Sequence, residues 1–300
     1  RGAYGGGGGG HVFHCWNRSG HGGVDMRRAI MQSCDIFFYS LASNLGIDRL
    51  HEWNSYFGFG HKTGIDIPNE SAGLMPSRAW KLKRFKEEWQ PGETLNIGIG
   101  QGYFNSTVLQ LAQMTTTIAG KGTAYIPHLL RADQSPLGGA PIMRKPRAVT
   151  RLKIPEEHWQ QVTDAMVAVV HDAGGTARSS AADLTEYKIA GKTGTAQLAG
   201  YGKTGKRKFA AKHLQDHALF VAYAPADKPT IALALIVENG VSGGKTAAPM
   251  ARKIFDAYLV PEKVKKAAEE AQAKKAAELS KSQTDTDTAS IAPATTTPTH

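Results

Sequence analysis

Late in the chain the hydrophobic period changes, and that change restricts the fold more than any other feature. Tyr187–Ala190, Ala218–Ala224 and Ile231–Glu238 are short apolar-rich runs separated by Gly, Pro or Asp. Runs of that length and bounding read as adjacent strands of one sheet. The segments before them keep a helical spacing. Asp25 is placed to cap a helix whose Met26, Ala29 and Ile30 share a face. Ile36–Leu45 ends at Gly46 and reads as a buried helix. Thr107–Ala119 has helical spacing and stops at Gly120, and Pro155–Val170 carries Trp159, Val162, Met166 and Val169 on one stripe. Asn54–Trp89 reads as irregular, Ala132–Arg147 as a Pro/Gly loop and Thr246–Leu259 as a closing helix. Helices and strands around a central sheet predict a mixed α/β or α+β body over residues 1–260.

Beyond that body, 261–300 reads as a charged, Thr-rich tail that is largely disordered. Gly5–Gly10 is an unbroken glycine run that pins down no backbone conformation. No uncharged apolar run approaches the ~18 residues of a membrane span, and no signal peptide opens the chain. The chain reads as one that starts inside a longer protein. Its net charge of +10 lies in the body, because six Lys in the tail are matched by four Glu and two Asp. Part of the excess, Lys203, Lys206, Arg207, Lys208 and Lys212, reads as a solvated basic loop. No nucleic-acid-binding module accompanies it, so no nucleic-acid partner is expected.

Gly191-Lys192-Thr193 has the end of a phosphate loop, but that loop needs Gly at position 186, where Glu186 stands. The second Gly-Lys-Thr, at Gly244, fails likewise at Asn239, and Gly98, Gly100 and Gly102 complete no dinucleotide fingerprint. Both nucleotide readings fall. Lys192-Thr193-Gly194 is also the third signature of the serine acyl-transferases that react with penicillin. The residue types suit that chemistry: a lysine to relay protons and bind anions, two hydroxyls for a carboxylate, and a glycine that lets a peptide backbone approach an edge strand. The second signature, Ser-x-Asn or Ser-x-Asp, is met by Ser33-Cys34-Asp35. Either triplet alone reads as easily as a chance match or a helix cap. The two in this order, about 160 residues apart, carry more weight.

Further segments join them in order: Gly100-Gln101-Gly102-Tyr103, Leu109-Gln110-Leu111-Ala112, Gly174-Gly175-Thr176-Ala177 and Ala190 through Gln197. Together, from about His11 to about Val260, they resemble the class B penicillin-binding proteins, and within them the cell-elongation transpeptidases. The resemblance implies an α+β fold of the penicillin-recognising serine transpeptidase (β-lactamase-like) type, with a five-stranded antiparallel sheet, helices on both faces and a helical subdomain. It implies a D,D-transpeptidase that cross-links peptidoglycan through an acyl-enzyme and is acylated by β-lactams. Ser33 and Lys192 would relay the proton, and Thr195 would offer its N–H to the oxyanion. Thr193, Gly194 and Thr195 would hold the substrate, and Asp35, standing where many relatives have Asn, would join the catalytic residues by orienting the acyl chain. A β-lactamase or β-lactam sensor on the same fold, or a non-catalytic scaffold piece, are the competing readings. The family's nucleophile lies in a Ser-x-x-Lys tetrad before the second signature. The tetrad in this chain, Ser242-Gly243-Gly244-Lys245, follows the third signature and reads as a chance match in a turn. The nucleophile segment is therefore expected to be missing from the chain, as are the family's pedestal and N-terminal membrane anchor. The resemblance also implies peptidoglycan stem peptides and a membrane glycosyltransferase of the elongation machinery as partners. The location it implies is the periplasmic face of the inner membrane.

Catalysis of this kind requires no cofactor. Cys15, His21 and Cys34 nevertheless follow a Cys-x5-His-x12-Cys spacing, and thiolate with imidazole suits a structural zinc. A fourth ligand would come from an upstream residue, His14 or Asp25. A Cys15–Cys34 disulfide and a Cys34 that merely packs are the alternatives.

Overall fold

The computed structural model describes residues 2–5, 11–197, 215–266, 269–270 and 272. They form, in chain order, β1 (Ala3–Gly5), β2 (Val12–His14), α1 (Met26–Met31), α2 (Asp35–Tyr56), α3 (Arg78–Phe85), α4 (Pro91–Ile97), α5 (Val108–Ala119), β3 (Thr123–Tyr125), β4 (Ala132–Asp133), β5 (Ile142–Met143), β6 (Ala148–Arg151), α6 (Glu156–His171), β7 (Ala190–Ala196), β8 (His217–Ala224), β9 (Ile231–Val237) and α7 (Ala248–Leu259). The chain divides into two compact units, Arg1–Arg252 and Lys253–His300. The second contains the C-terminal part of α7 and a helical stretch at 261–266. No helix among the described residues is long and apolar enough to cross a membrane. The glycines at 6–10, the basic cluster 203–212 and most of the tail, 273–300 included, lie outside the described residues.

Local signals fix several elements where the sequence places them. The Asp25 carboxylate accepts from Arg28 N and starts α1. The Thr107 hydroxyl accepts from Gln110 N, while the Gln110 side chain accepts from Thr107 N, so a capping box starts α5. The expected stop at Gly46 is a break: α2 is two helical runs joined where Gly46 takes φ 73°, a conformation open to glycine.

The stretch 54–89 is less irregular than its Gly, Pro and aromatic content suggests. It contains the end of α2 and all of α3, whose one buried side chain, Lys81, leaves no apolar stripe to read. The 132–147 loop holds the short β4–β5 pair, and β3 pairs with β6 across it.

β7, β8 and β9 form an antiparallel sheet in that order, with β7 at the edge. The first strand starts where the sequence expectation ended it. Gly191–Thr195 does not follow a strand; it is the strand. Its Gly/Thr composition has little strand propensity, and its extended form comes from pairing with the apolar β8, Ala190↔Tyr223 through Ala196↔His217. Three strands stand in this sheet among the described residues, against the five implied by resemblance; β1 and β2 pair with each other separately. Ile118 of α5 and Val162, Met166 and Val167 of α6 pack with Ala190, Tyr223 and Ala232 of the sheet. A second core, Ile47, Phe59, Met75, Trp89 and Ile97, holds the helical part together.

Gly191 faces the ring of Phe220. A Cβ there would lie 2.5 Å from Phe220 Cζ and 3.2 Å from Ala222 Cβ. Phe220 is fully buried and cannot swing away, so Gly191→Ala is expected to cost about 1–3 kcal/mol in urea unfolding, the usual scale of overpacking.

Candidate active site

Ser33 lies in the turn between α1 and α2. Its N–H donates to Ile30 O (3.3 Å), the next N–H, of Cys34, to Ala29 O (2.9 Å), and Ser33 itself takes φ 54°. That left-handed conformation is costly for a residue with a Cβ. It turns the Ser33 hydroxyl toward edge strand β7. There Lys192 Nζ donates to Ser33 Oγ at 2.5 Å and to Thr193 O at 2.8 Å. The two signatures, 159 residues apart, thus meet in one hydrogen bond. Desolvation pushes the Lys192 ammonium down to about 8, partly opposed by the negative charge of Asp35. An amine with that pKa exchanges protons readily near neutral pH.

The other predicted residues divide between two sides of this contact. Thr193 Oγ1 shares a hydrogen bond with Thr176 Oγ1 (2.8 Å). Thr195 is exposed on the edge strand, and its carbonyl accepts from Gln101 Nε2 at 3.0 Å. Gly194 lies close under Gly243, where a Cβ would fall 2.6 Å from Gly194 O. Ser242–Lys245, expected in a turn, instead opens a π-helical run, Gly243–Ala247, that leads into α7 and packs on the strand backbone. The Asp35 carboxylate points to the upstream loop, accepting from Trp16 N (2.9 Å) and bonding the Cys15 side chain. Burial raises its pKa against those hydrogen bonds and against the Lys192 charge.

Sequence reasoning picked out Gly100–Tyr103 and Gly174–Ala177 as segments, and the contacts of Gln101 and Thr176 give those segments their place. It missed Trp16, whose indole Nε1–H donates to the carbonyls of Gln32 (3.1 Å) and Ser33 (2.9 Å). A lone Trp in an irregular stretch carries no pattern that could have found it.

Beneath the Ser33 turn, donor atoms of Cys15, His21 and Cys34 lie within 4.8 Å of one another. Cys15 Sγ is 3.5 Å from His21 Nδ1, and His21 Nε2 is buried without a hydrogen-bond partner among the described residues. Both thiols are free and buried. Burial lowers the His21 pKa and raises that of Cys15. Of the fourth ligands expected, Asp25 is engaged in capping α1, and neither it nor His14 joins the three donors.

Residues 4–256 match the penicillin binding protein transpeptidase domain. The chain is 43% identical over 257 residues to the peptidoglycan D,D-transpeptidase MrdA of Acinetobacter baumannii, covering 84% of the chain and 37% of that relative. It therefore spans well under half the length of the relatives it matches, 37–38% for the first three. The crystal structure of Pseudomonas aeruginosa PBP2 in complex with WCK 5153 superposes with a TM-score of 0.73 at 44% identity, over 86% of this chain and 52% of that one. A structure described as the coordination of polymerization and crosslinking by a peptidoglycan synthase complex superposes with a TM-score of 0.68 at 33% identity, over 83% and 40%.

The Lys192 shift has a consequence for stability. The native state gives up this proton near pH 8, whereas the unfolded chain holds it to 10.5. Between those values the unfolded state binds more protons, so stability rises with pH. The penalty of the desolvated charge is complete below pH 8 and relieved as pH climbs to 10.5, by up to about 3 kcal/mol. Urea unfolding at pH 7.5–10.5 is expected to show this rise in the wild-type chain relative to Lys192→Met. Parallel pH curves for the two would contradict the shift.

Proposed function

Because this chain belongs to the penicillin-binding protein transpeptidase family, we propose that the protein carrying it is a peptidoglycan D,D-transpeptidase of cell-wall elongation. The observation that carries this reading is the Lys192–Ser33 hydrogen bond, which joins the second and third signatures in the arrangement that acyl transfer needs. A serine of a Ser-x-x-Lys tetrad outside these 300 residues attacks the penultimate D-Ala carbonyl of a stem peptide. The new ester C–O bond forms as the C–N bond to the terminal D-Ala breaks. Ser33 and Lys192 pass a proton to the departing amine. An amine of a neighbouring stem peptide then attacks the ester, forms the cross-link amide and returns the proton to the serine. The Thr195 N–H faces the oxyanion, and the Thr193 and Thr195 hydroxyls hold the terminal carboxylate, while Gly194 leaves room for the peptide backbone. Asp35 works from the opposite side, fixing the loop under Ser33.

β-Lactams acylate the same serine in place of the stem peptide, a reading supported by the match to the penicillin binding protein transpeptidase domain. The likeness to a synthase complex that couples polymerization and crosslinking supports a membrane glycosyltransferase as partner. Membership of the same family supports a protein that works at the periplasmic face of the inner membrane. The full-length protein tests the chemistry. Lys192→Ala is expected to lower the second-order rate of acylation by a penicillin at least about a hundredfold, the scale of a lost acid–base group. A near-normal rate would overturn the assignment.

Catalysis itself needs no cofactor, but the three convergent donors support a structural zinc held by Cys15, His21 and Cys34 with one further ligand. The buried, unpartnered His21 Nε2 fits a ring whose other bonding capacity awaits an occupant. Thiolates and a neutral imidazole are the forms zinc binds. Elemental analysis of the full-length protein should find about one zinc per chain, reduced by Cys34→Ser. Protein free of metal, with both thiols titrating, would rule the site out.

A further inference from the structure

Among the described residues Trp16 makes three hydrogen bonds, and these fall on the segment that carries Ser33. Its indole N–H lies between the carbonyls of Gln32 and Ser33, and its backbone N–H binds the Asp35 carboxylate. The residue is 59% exposed, so burial does not explain its position. Its contact with the His21 ring, at 5.3 Å between centroids and 59° between planes, sets its tilt. Ser33 meanwhile stands at φ 54°, a conformation a non-glycine residue leaves unless something holds it. Within the turn, the donors on this segment, Ser33 N and Cys34 N, bond back to α1. The Gln32 and Ser33 carbonyls point outward to the indole. Relaxation of the turn would swing the Ser33 hydroxyl away from Lys192 Nζ, now 2.5 Å distant.

We propose that Trp16 is a positioning residue, whose indole N–H clamps the left-handed Ser33 turn and so keeps the Ser33 hydroxyl on Lys192. The proposal rests on the reading of Ser33 and Lys192 as the proton relay. The clamp acts through geometry alone, so it governs the rate of the chemical step and leaves the binding of a β-lactam before that step unchanged.

The test uses the full-length protein with Trp16→Phe, and a second variant in which the Trp16 indole is replaced by benzothiophene, of the same shape but without the N–H. The acylation rate constant for a penicillin is expected to fall about tenfold in both, with non-covalent affinity and melting temperature unchanged, as a misplacement of the relay requires. Amide exchange over residues 30–36, the Cys34 N–H above all, is expected to quicken. Unchanged acylation in the benzothiophene variant overturns the proposal. So does a fall in rate accompanied by equal losses of affinity and melting temperature, which marks a merely structural role. A wild-type protein that no penicillin acylates would defeat the transpeptidase reading instead. The clamp is then decided by exchange alone, and unaltered protection of Cys34 in the benzothiophene variant refutes it.

Discussion

The hydrogen bond between Lys192 Nζ and Ser33 Oγ is the contact to which the rest of the first unit is fitted. It joins an edge strand to a helix–helix turn, and it sets a cation in a desolvated place. A charge so placed keeps its proton only while acceptors stay in reach. Here the acceptors are a side-chain hydroxyl and one backbone carbonyl, with the Asp35 charge nearby. The result is an amine near pKa 8, able to carry a charge and able to give it up.

Both partners of that contact are braced from behind. On the strand side, β8 imposes extension on β7 and the small residues Gly191 and Gly243 permit close packing. Thr176 and Gln101 attach from two other segments, one at Thr193 Oγ1 and one at the Thr195 carbonyl. The Gln101 loop rests in turn on a half-buried ion pair. Lys81, almost wholly inaccessible, donates to both oxygens of Glu93, which also accepts from Tyr103 Oη and Gln90 N. Removing one member of such a group strands the other, so the network resists change.

On the turn side, the support is a small cluster of chemically reactive groups. Cys15, His21, Cys34 and Asp35 converge beneath Ser33, and Trp16 lies across the top. The change of direction after Ser33, which takes φ 54°, is what makes this possible: Ser33 turns to the strand while Cys34 and Asp35 both turn to the upstream loop. Cys15 and His21 thus lie within a single turn of backbone of the Ser33–Lys192 contact.

Much of this was legible from the chain itself, and the division follows the range of the forces. Apolar period made β8, β9, α5 and α6 readable, and the side-chain cap at Asp25 marked where a helix begins, because those effects act over a few residues. The Ser33 and Lys192 signatures were readable as residue types in order, and so was the Cys-His-Cys spacing. α3 was not, because its buried face is a single lysine whose partner Glu93 lies in another helix. β7 was not, because Gly-Lys-Thr-Gly-Thr becomes a strand only when β8 pairs with it. Only the tertiary structure decided that Asp35 faces away from Lys192's strand, that Trp16 holds the Ser33 turn, and that Lys192 titrates near 8. Each depends on desolvation and on donors brought from distant positions, and neither quantity exists until the chain has folded.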